Sequence, residues 1–323
     1  MVAYDDILVA RDRLAGHAVR TPLLDTPQID AIAGRRVLVK AECLQRTGSF
    51  KFRGAWNRIS ALTTQERAGG VVASSSGNHA QGVALSCRML GIPAVIVMPS
   101  DAPVAKVEAT RGYGAGIVFY DRATEDRDAI SEALTAERGA ILVRPFDDPY
   151  VIAGQGTCGL EIAEQAHERG IEAGTMLVCC GGGGLSSGVA LALERDAPGL
   201  AIRPVEPEGF DDFGRSLAVG ERLRNDPGGT SIQDAILTPS PGALTFPVGR
   251  RLFGPGLAVS DEEALRAMGL AWHWLKIVLE PGGAAALAAA LFRGEALAEG
   301  PVVVTASGGN VDPALFARAL ETL

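Results

Sequence analysis

Short apolar runs rich in β-branched residues alternate along this chain with longer stretches in which apolar residues recur at helical spacing. The runs that predict strands are residues 37–40, 70–73, 94–98, 117–120, 141–143, 176–179, 202–205 and 302–305. The main stretches that predict helices are residues 77–90, 124–137, 151–167, 185–195 and 261–276. Strands that alternate with helices in this way are typical of parallel sheets covered by helices on both faces, so we predict an α/β fold.

Ligands of open α/β sheets bind beyond the carboxyl ends of the strands, and four motifs of this chain lie at such ends. The first contains Lys51, in the opening turn of a predicted helix, where a positive charge opposes the helix dipole. Its neighbours Phe50 and Phe52 would desolvate the amine and lower its pKa, which favours a Schiff-base lysine. The alternative is an ordinary solvent-exposed lysine on a helix.

The second motif is the polar turn Ser-Ser-Ser-Gly-Asn-His at residues 74–79, between a predicted strand and a predicted helix. Gly77 allows a close approach of the backbone, and the unpaired N–H groups at the start of a helix can bind an anion. The motif therefore predicts a carboxylate site, although simple helix capping explains the same residues.

The third motif consists of four consecutive glycines at residues 181–184. Each glycine costs backbone entropy, and a run of them lets successive N–H groups surround a phosphate. A dinucleotide-binding motif, with Glu206 as the ribose-binding acid, would need glycine at position 186 or 187, where the chain has Ser186 and Ser187. The fourth motif, Ser-Gly-Gly-Asn at residues 307–310, follows the last predicted strand and could also be a helix cap.

Composition narrows the choice of partners. The 323 residues favour two domains at roughly 150 residues each, and the net charge of −8 argues against nucleic acid and anionic membranes. The five cysteines form no Cys-x-x-Cys pair, which suggests a reducing compartment. No apolar run reaches the ~18 residues of a membrane span, and the first residues lack the apolar region of a signal peptide. We therefore expect a cytoplasmic protein that acts on a small molecule.

Together and in this order, the four motifs resemble the serine/threonine dehydratase and serine racemase branch of the fold-type II pyridoxal-phosphate (PLP) enzymes, in the tryptophan synthase beta-like superfamily. The similarity extends over nearly the whole chain and includes residues 145–149, 152–157, 205–207 and 279–281. It implies two open, mostly parallel sheets flanked by helices. It also implies a large PLP-binding domain (1–67 and 148–323), a small inserted domain (68–147), an active site in the cleft between them, and a homodimer.

The resemblance assigns a role to each motif residue by position. Lys51 would hold PLP as a Schiff base and later act as the catalytic base, with Ser76 as a second catalytic group. The cofactor-binding residues would be Phe50, Lys51, Asn78, Gly181, Gly182, Gly183, Gly184, Leu185, Glu280 and Ser307. The substrate-binding residues would be Ser75, Ser76, Gly77, Asn78, His79 and Arg127.

Residues 206–212 resemble the divalent-cation site of the same family. Glu206, the Phe210 carbonyl and Asp212 would be its ligands, and a set made of oxygen atoms suits Mg²⁺, Mn²⁺ or Ca²⁺. A solvated acidic loop is the alternative.

The activity implied by the resemblance is that of an ammonia-lyase, or dehydratase. It would convert a 3-hydroxy amino acid such as serine, threonine, 3-hydroxyaspartate or phenylserine to a 2-oxo acid and ammonia. Ser76 matches serine racemases rather than typical threonine dehydratases, which implies some racemase activity. Racemisation as the main activity and PLP-dependent β-replacement are alternatives, and intact Lys51 argues against a non-catalytic binding protein. Arg144 departs from the histidine usual in threonine dehydratases and leaves the preferred substrate open.

Overall fold

The computed structural model describes residues 2–75, 77–102 and 104–323. Within these residues the strands are, in chain order, β1 (Leu23–Leu24), β2 (Val37–Lys40), β3 (Val71–Ser74), β4 (Ala94–Pro99), β5 (Gly116–Tyr120), β6 (Ile141–Leu142), β7 (Gly174–Cys179), β8 (Leu200–Pro207), β9 (Leu257–Val259) and β10 (Val302–Thr305). The helices are α1 (Tyr4–Leu14), α2 (Pro27–Ala33), α3 (Lys51–Ser60), α4 (Thr64–Gly69), α5 (Asn78–Leu90), α6 (Val104–Gly112), α7 (Arg127–Arg138), α8 (Pro149–Glu168), α9 (Gly184–Asp196), α10 (Asp212–Val219), α11 (Thr245–Leu252), α12 (Asp261–Leu270), α13 (Pro281–Phe292) and α14 (Pro313–Leu320).

The strands form two separate sheets. The larger has the strand order β1-β2-β10-β7-β8-β9, and the smaller has the order β5-β4-β3-β6. All pairings in these sheets are parallel except β1 with β2, where Leu23 lies opposite Lys40. This confirms the predicted α/β fold with two mostly parallel sheets.

Helices cover the larger sheet on both faces, which explains its uninterrupted apolar strands. Successive residues of a strand point to opposite faces. In β10, Val302 and Val304 belong to the hydrophobic cluster that contains α13, whereas Val303 belongs to the cluster that contains residues of α8 and α9. Because both faces are buried, Val302, Val303 and Val304 are all apolar, and the period-two alternation of a half-exposed strand is missing.

The smaller sheet is covered in the same way. Val71 and Ala73 of β3 pack in the cluster that contains Val83 and other residues of α5, while Val72 packs on the opposite face against Ile130 and its neighbours in α7. All four strands of this sheet fall within residues 71–142, inside the range predicted for the small domain. The domain boundaries themselves stay a prediction.

The pattern of apolar residues located most strands and five helical stretches, but it did not single out α1, with 11 residues, or α13, with 12. Each predicted strand is present, with ends within two residues of the prediction. β1 and β9, edge strands of two and three residues, were not predicted. The predicted helix 261–276 is divided: α12 ends at Leu270, a π-helical turn follows at Ala271–Leu275, and Lys276 adopts a positive φ of 60°.

Helix α13 is apolar all round because it is buried on every side. Its second and third residues are glycines, and a Cβ atom on Gly283 would lie 2.2 Å from the Gly308 carbonyl oxygen. The start of α13 therefore lies directly against the loop that follows β10, and Glu280 is its N-cap residue. With 12 residues α13 is too short to span a bilayer, and no helix in the described part of the chain is long and apolar enough to do so.

Candidate active site

Lys51 is the first residue of α3, and its amine is desolvated without being paired to a carboxylate. Its Nζ donates a hydrogen bond to the Pro145 carbonyl at 2.8 Å and lies 5.1 Å from the centre of the Phe50 ring. Burial lowers the pKa of Lys51 to about 8, although Glu280 opposes the shift. An amine with this pKa is substantially neutral near pH 8 and can act as a nucleophile or a base.

The other lysines near this region are already paired. Lys40 is buried and donates from Nζ to Glu161 and to Gln165, the latter at 2.9 Å. Lys106 forms an ion pair with Asp234. Lys51 is therefore the lysine best suited to form a Schiff base.

The start of α5 meets the start of α13 through Asn78. The Asn78 Nδ2 atom donates to the Glu280 carboxylate, and the Asn78 Oδ1 atom accepts from Asn310 Nδ2 at 2.7 Å. Burial raises the pKa of Glu280 to about 7, and the hydrogen bond from Asn78 and the charges of Lys106 and Lys51 only partly offset this effect. Glu280 can therefore carry a proton near neutral pH.

Ser307 is brought next to the lysine motif by backbone contacts. The Phe50 N–H donates to the Ser307 carbonyl at 3.1 Å, and the Ser307 N–H donates to the Gly283 carbonyl at 3.2 Å. Ser49 and Gly308 form an isolated antiparallel bridge beside these contacts. The lysine motif, the asparagine turn and the last strand end, which are far apart in sequence, thus meet at one place.

Gly181, Gly182 and Gly183 lie in the loop between β7 and α9, and Gly184 is the first residue of α9. A Cβ atom would lie 2.3 Å from the Phe146 ring at Gly182 and 2.4 Å from the Phe213 ring at Gly183, where φ is also positive at 91°. No backbone carbonyl in the described part of the chain accepts a hydrogen bond from the N–H groups of residues 181–185. A glycine loop with free donors at a helix N-terminus fits a phosphate group.

The His79 ring in the asparagine turn has one nitrogen engaged and one that is buried without a partner among the described residues. His79 Nε2 lies 2.9 Å from the Val143 carbonyl oxygen, which can only accept, so Nε2 carries the proton. Burial, together with the charge of Lys51, lowers the pKa of His79 to about 3, so the ring is neutral and Nδ1 is an acceptor. The Ser75 hydroxyl accepts from the Gly77 N–H at 3.1 Å. Ser76, the predicted second catalytic group, lies outside the described residues.

A cavity of about 630 Å³, within the range usual for small-molecule sites, lies beside the lysine motif and the asparagine turn, whereas the glycine loop and Ser307 are not among its lining residues. Lys51, Asn78 and His79 lie on its wall. Arg127 also lines it, but it is exposed and forms an ion pair with Asp128 at 3.1 Å.

The acidic segment predicted to bind a cation holds two buried carboxylates. Glu206 accepts from the N–H groups of Phe213 and Gly214 at 2.9 and 2.8 Å. Asp212 Oδ1 accepts from Asn225 Nδ2, and Asp212 Oδ2 is buried with no partner among the described residues. Burial raises the pKa of Glu206 well above its usual range, with Asp212 adding to the effect, and burial raises the pKa of Asp212 to about 6. No group of three or more histidine, cysteine, aspartate or glutamate residues is placed to hold a metal in the ranges the structure describes.

Sequence analysis missed the part played by main-chain carbonyl groups. Val143 and Pro145 contact His79 and Lys51 through carbonyl oxygens, which any residue type supplies, so no residue-type pattern could reveal them. Asp147 is a second case: its carboxylate accepts from the N–H groups of Ala243 and Leu244 and fixes the loop before α11.

Comparison with known proteins agrees with this geometry. A family model described as pyridoxal-phosphate dependent enzyme matches residues 14–308. The chain is 44% identical to an L-threo-3-hydroxyaspartate ammonia-lyase from Pseudomonas sp., covering 99% of this chain and 98% of the relative. It is 40% identical to a serine racemase from Schizosaccharomyces pombe, covering 98% and 97%. The structure of maize serine racemase superimposes with a TM-score of 0.91 at 38% identity, covering 99% of this chain and 97% of that one. The chain therefore belongs to the family of pyridoxal-phosphate-dependent enzymes, in the fold-type II branch that its motifs predicted.

Proposed function

We propose that this chain is a PLP-dependent ammonia-lyase that eliminates water from a small 3-hydroxy amino acid, after which hydrolysis of the resulting imine gives a 2-oxo acid and ammonia. The observation that carries the proposal is the desolvated, unpaired amine of Lys51, which lines the same cavity as the start of α5. The relatives named above include an ammonia-lyase that matches nearly end to end.

PLP fits the residues that are present. Glycine at positions 182 and 183 leaves room for the Phe146 and Phe213 rings, and the N–H groups of residues 181–185 donate to no backbone carbonyl among the described residues. We assign the phosphate to Gly181, Gly182, Gly183, Gly184 and Leu185, and the ring to Phe50, Lys51, Asn78, Glu280 and Ser307. Bound PLP supplies an electron sink for the charge left when a substrate loses its α-proton.

Lys51 would take that α-proton, because its lowered pKa leaves the amine neutral at a pH near 8. Ser307 would face the ring nitrogen as a neutral hydroxyl, which stabilises a protonated ring less than a carboxylate would. A ring that holds negative charge for a shorter time favours rapid loss of the β-hydroxyl over transamination.

The substrate α-carboxylate would lie at the start of α5, and we assign Ser75, Ser76, Gly77, Asn78 and His79 to its binding. Since the His79 ring is a neutral acceptor, we assign the carboxylate contacts of this turn to main-chain N–H groups. Arg127 at the cavity wall would add a positive charge on the same side.

The test is ammonia release from a panel of 3-hydroxy amino acids: L-serine, L-threonine, L-threo-3-hydroxyaspartate and phenylserine. We expect release of ammonia and the matching 2-oxo acid from at least one of them. L-alanine and L-aspartate, which lack the leaving hydroxyl, serve as controls and should release none. A PLP-loaded enzyme that released no ammonia from any 3-hydroxy substrate would contradict the proposal.

Serine racemisation is the second candidate, supported by the Schizosaccharomyces pombe relative. A second acid on the face opposite Lys51 would be needed, and Ser76 is our candidate. Chiral chromatography of the serine left in the ammonia assay measures this activity. Racemisation without ammonia release would make racemase the main activity, and product formation only with an added thiol would indicate β-replacement.

We propose a divalent cation, Mg²⁺, Mn²⁺ or Ca²⁺, between Glu206, the Phe210 carbonyl and Asp212. The supporting observation is the Asp212 Oδ2 atom, which is buried near a second carboxylate. A cation bound only by the folded protein, at 100 times its dissociation constant, adds about 2.7 kcal/mol to the free energy of unfolding.

We therefore expect Mg²⁺, Mn²⁺ or Ca²⁺ to raise the melting temperature, and a chelator to lower it. Asp212→Asn should abolish this response, whereas Glu208→Gln, at an exposed carboxylate nearby, should keep it. Differential scanning calorimetry with and without each ion measures the response. Equal melting temperatures with chelator and with each ion would count against the site.

Three further expectations remain proposals: a homodimer, a cytoplasmic location, and a division into domains at residues 67/68 and 147/148. Sedimentation equilibrium of the PLP-loaded protein tests the first of them.

A further inference from the structure

We propose that Arg144 binds a second carboxylate on the substrate, so that the enzyme prefers 3-hydroxy amino acids with a carboxylate on the β-carbon. This inference rests on the proposed ammonia-lyase function and specifies the substrate class of that site.

Arg144 is held at the reacting end of the cavity by its two neighbours in sequence. The Val143 carbonyl contacts His79 Nε2 at 2.9 Å, and the Pro145 carbonyl accepts from Lys51 Nζ at 2.8 Å. The backbone of Arg144 is therefore fixed between the side chain that follows the carboxylate turn and the side chain that would take the α-proton. The Arg144 side chain lines the same cavity and remains exposed to it.

The other cationic side chains of the cavity are already engaged, Lys51 apart. Their partners are Asp234 for Lys106, Asp101 for Arg122, Asp128 for Arg127 and the Pro241 carbonyl for Arg222. Arg144 has no ion pair and no side-chain hydrogen bond to any residue in the ranges 2–75, 77–102 and 104–323. Its guanidinium is thus the arginine group at this cavity that can take a substrate anion without breaking an existing contact.

The geometry of the substrate makes the β-substituent the group that Arg144 can reach. The start of α5 binds the α-carboxylate and Lys51 takes the α-proton, so the substituent on the β-carbon lies toward the remaining wall, where Arg144 is placed. A guanidinium can hold a carboxylate with two parallel hydrogen bonds. A hydrogen, a methyl or a phenyl group at the same position offers it no acceptor, so the gain is specific to dicarboxylic substrates.

The kinetic test compares L-threo-3-hydroxyaspartate with L-serine as substrates of the PLP-loaded enzyme. We expect the ratio of their kcat/KM values to fall about 100-fold in Arg144→Gln, because truncating a charge that pairs with the substrate removes that binding energy from one substrate alone. Arg144→Lys keeps the positive charge but cannot form the two parallel hydrogen bonds of a guanidinium, so it should recover part of the parent ratio. Arg122→Gln, at an arginine of the same cavity paired to Asp101, should keep the parent ratio.

An equilibrium measurement separates binding from turnover. L-aspartate and L-alanine lack the leaving hydroxyl, so their dissociation constants can be obtained from the change in cofactor absorbance on titration. The parent should bind L-aspartate more tightly than L-alanine, and Arg144→Gln should remove this difference.

An unchanged substrate ratio together with an unchanged L-aspartate preference in Arg144→Gln would overturn the assignment of Arg144 while leaving the lyase function in place. Absence of ammonia from every substrate with the parent enzyme would instead overturn the proposed function.

Discussion

Replacing Lys51 with alanine is expected to lower kcat/KM for ammonia release by at least about 10⁴-fold, because one amine would both hold the cofactor and take the α-proton. The loss should appear at every substrate concentration, since no neighbouring lysine can replace it: Lys40 is paired with Glu161 and Lys106 with Asp234. Steady-state ammonia assays with excess PLP measure the effect.

Lys106→Ala is the matched control and should retain activity within about tenfold. Borohydride reduction of the parent, followed by peptide mapping, should place the cofactor on Lys51. Added methylamine should restore part of the activity of Lys51→Ala, because a small amine can enter the space left by the side chain. A label on another lysine, or an active Lys51→Ala enzyme, would show that a different residue carries the chemistry.

Replacing Arg53 with alanine is expected to reduce the free energy of unfolding by about 3–5 kcal/mol, the usual effect of removing one partner from a buried ion pair. The Arg53 side chain is 1% exposed and its partner Glu42 is 0% exposed. Two parallel hydrogen bonds of 2.8 Å join Arg53 to Glu42, and a second pair of 2.7 and 2.8 Å joins it to Glu161. Without Arg53, Glu42 would be a buried carboxylate that lacks its main cation.

Arg20→Ala is the matched control, because Arg20 pairs with Glu164 and Glu168 on the surface, where such pairs contribute about 0–1 kcal/mol. The loss of unfolding free energy in Arg53→Lys should lie between those of Arg53→Ala and Arg20→Ala, since lysine keeps the positive charge but cannot form the paired hydrogen bonds of a guanidinium. Chemical denaturation measures all three variants. A loss below about 1 kcal/mol in Arg53→Ala would mean that the buried pair does not hold α3 in place.

The buried Arg53–Glu42 pair also makes the free energy of unfolding depend on pH in a predictable direction. Burial alone would raise the pKa of Glu42, but Arg53 outweighs it and holds the pKa of Glu42 below its usual range. A carboxyl group with a lowered folded-state pKa stabilises the protein above its unfolded-state pKa. That contribution is lost as the pH falls through the folded-state value. The stability difference between the parent and Arg53→Ala should therefore shrink in acid.

The sequence predicted the elements and site residues well where the type of a residue by itself indicates its role. The apolar runs predicted every long strand because buried parallel strands are apolar throughout. Lys51 and the four glycines were found because an amine in an aromatic setting and a run of glycines each point to one kind of chemistry.

Long-range pairing was the part that a single sequence could not supply. The hydrogen bonds from Asn310 to Asn78 and from Asn78 to Glu280 join positions about 200 or more residues apart, and no local pattern encodes them. His79 was assigned to the carboxylate from its place in the motif, but its ring state depends on the Val143 carbonyl. From the sequence, Arg144 was recognised only as a departure from the histidine usual in threonine dehydratases. The role proposed for it depends on the contacts of its neighbours Val143 and Pro145, which the sequence does not reveal.

The segment that carries Arg144 runs from β6 in the smaller sheet to α8, whereas Lys51 and Ser307 follow β2 and β10, two neighbouring strands of the larger sheet. The residues proposed to act on the bonds of the substrate therefore lie in different stretches of the chain from the side chain proposed to select the substrate. With the role proposed for Arg144, a single exchange at position 144 is expected to redirect substrate preference without replacing Lys51 or the glycine loop. Such an arrangement lets a lineage diversify by small steps, which accords with relatives of differing named activities that share this fold along its whole length.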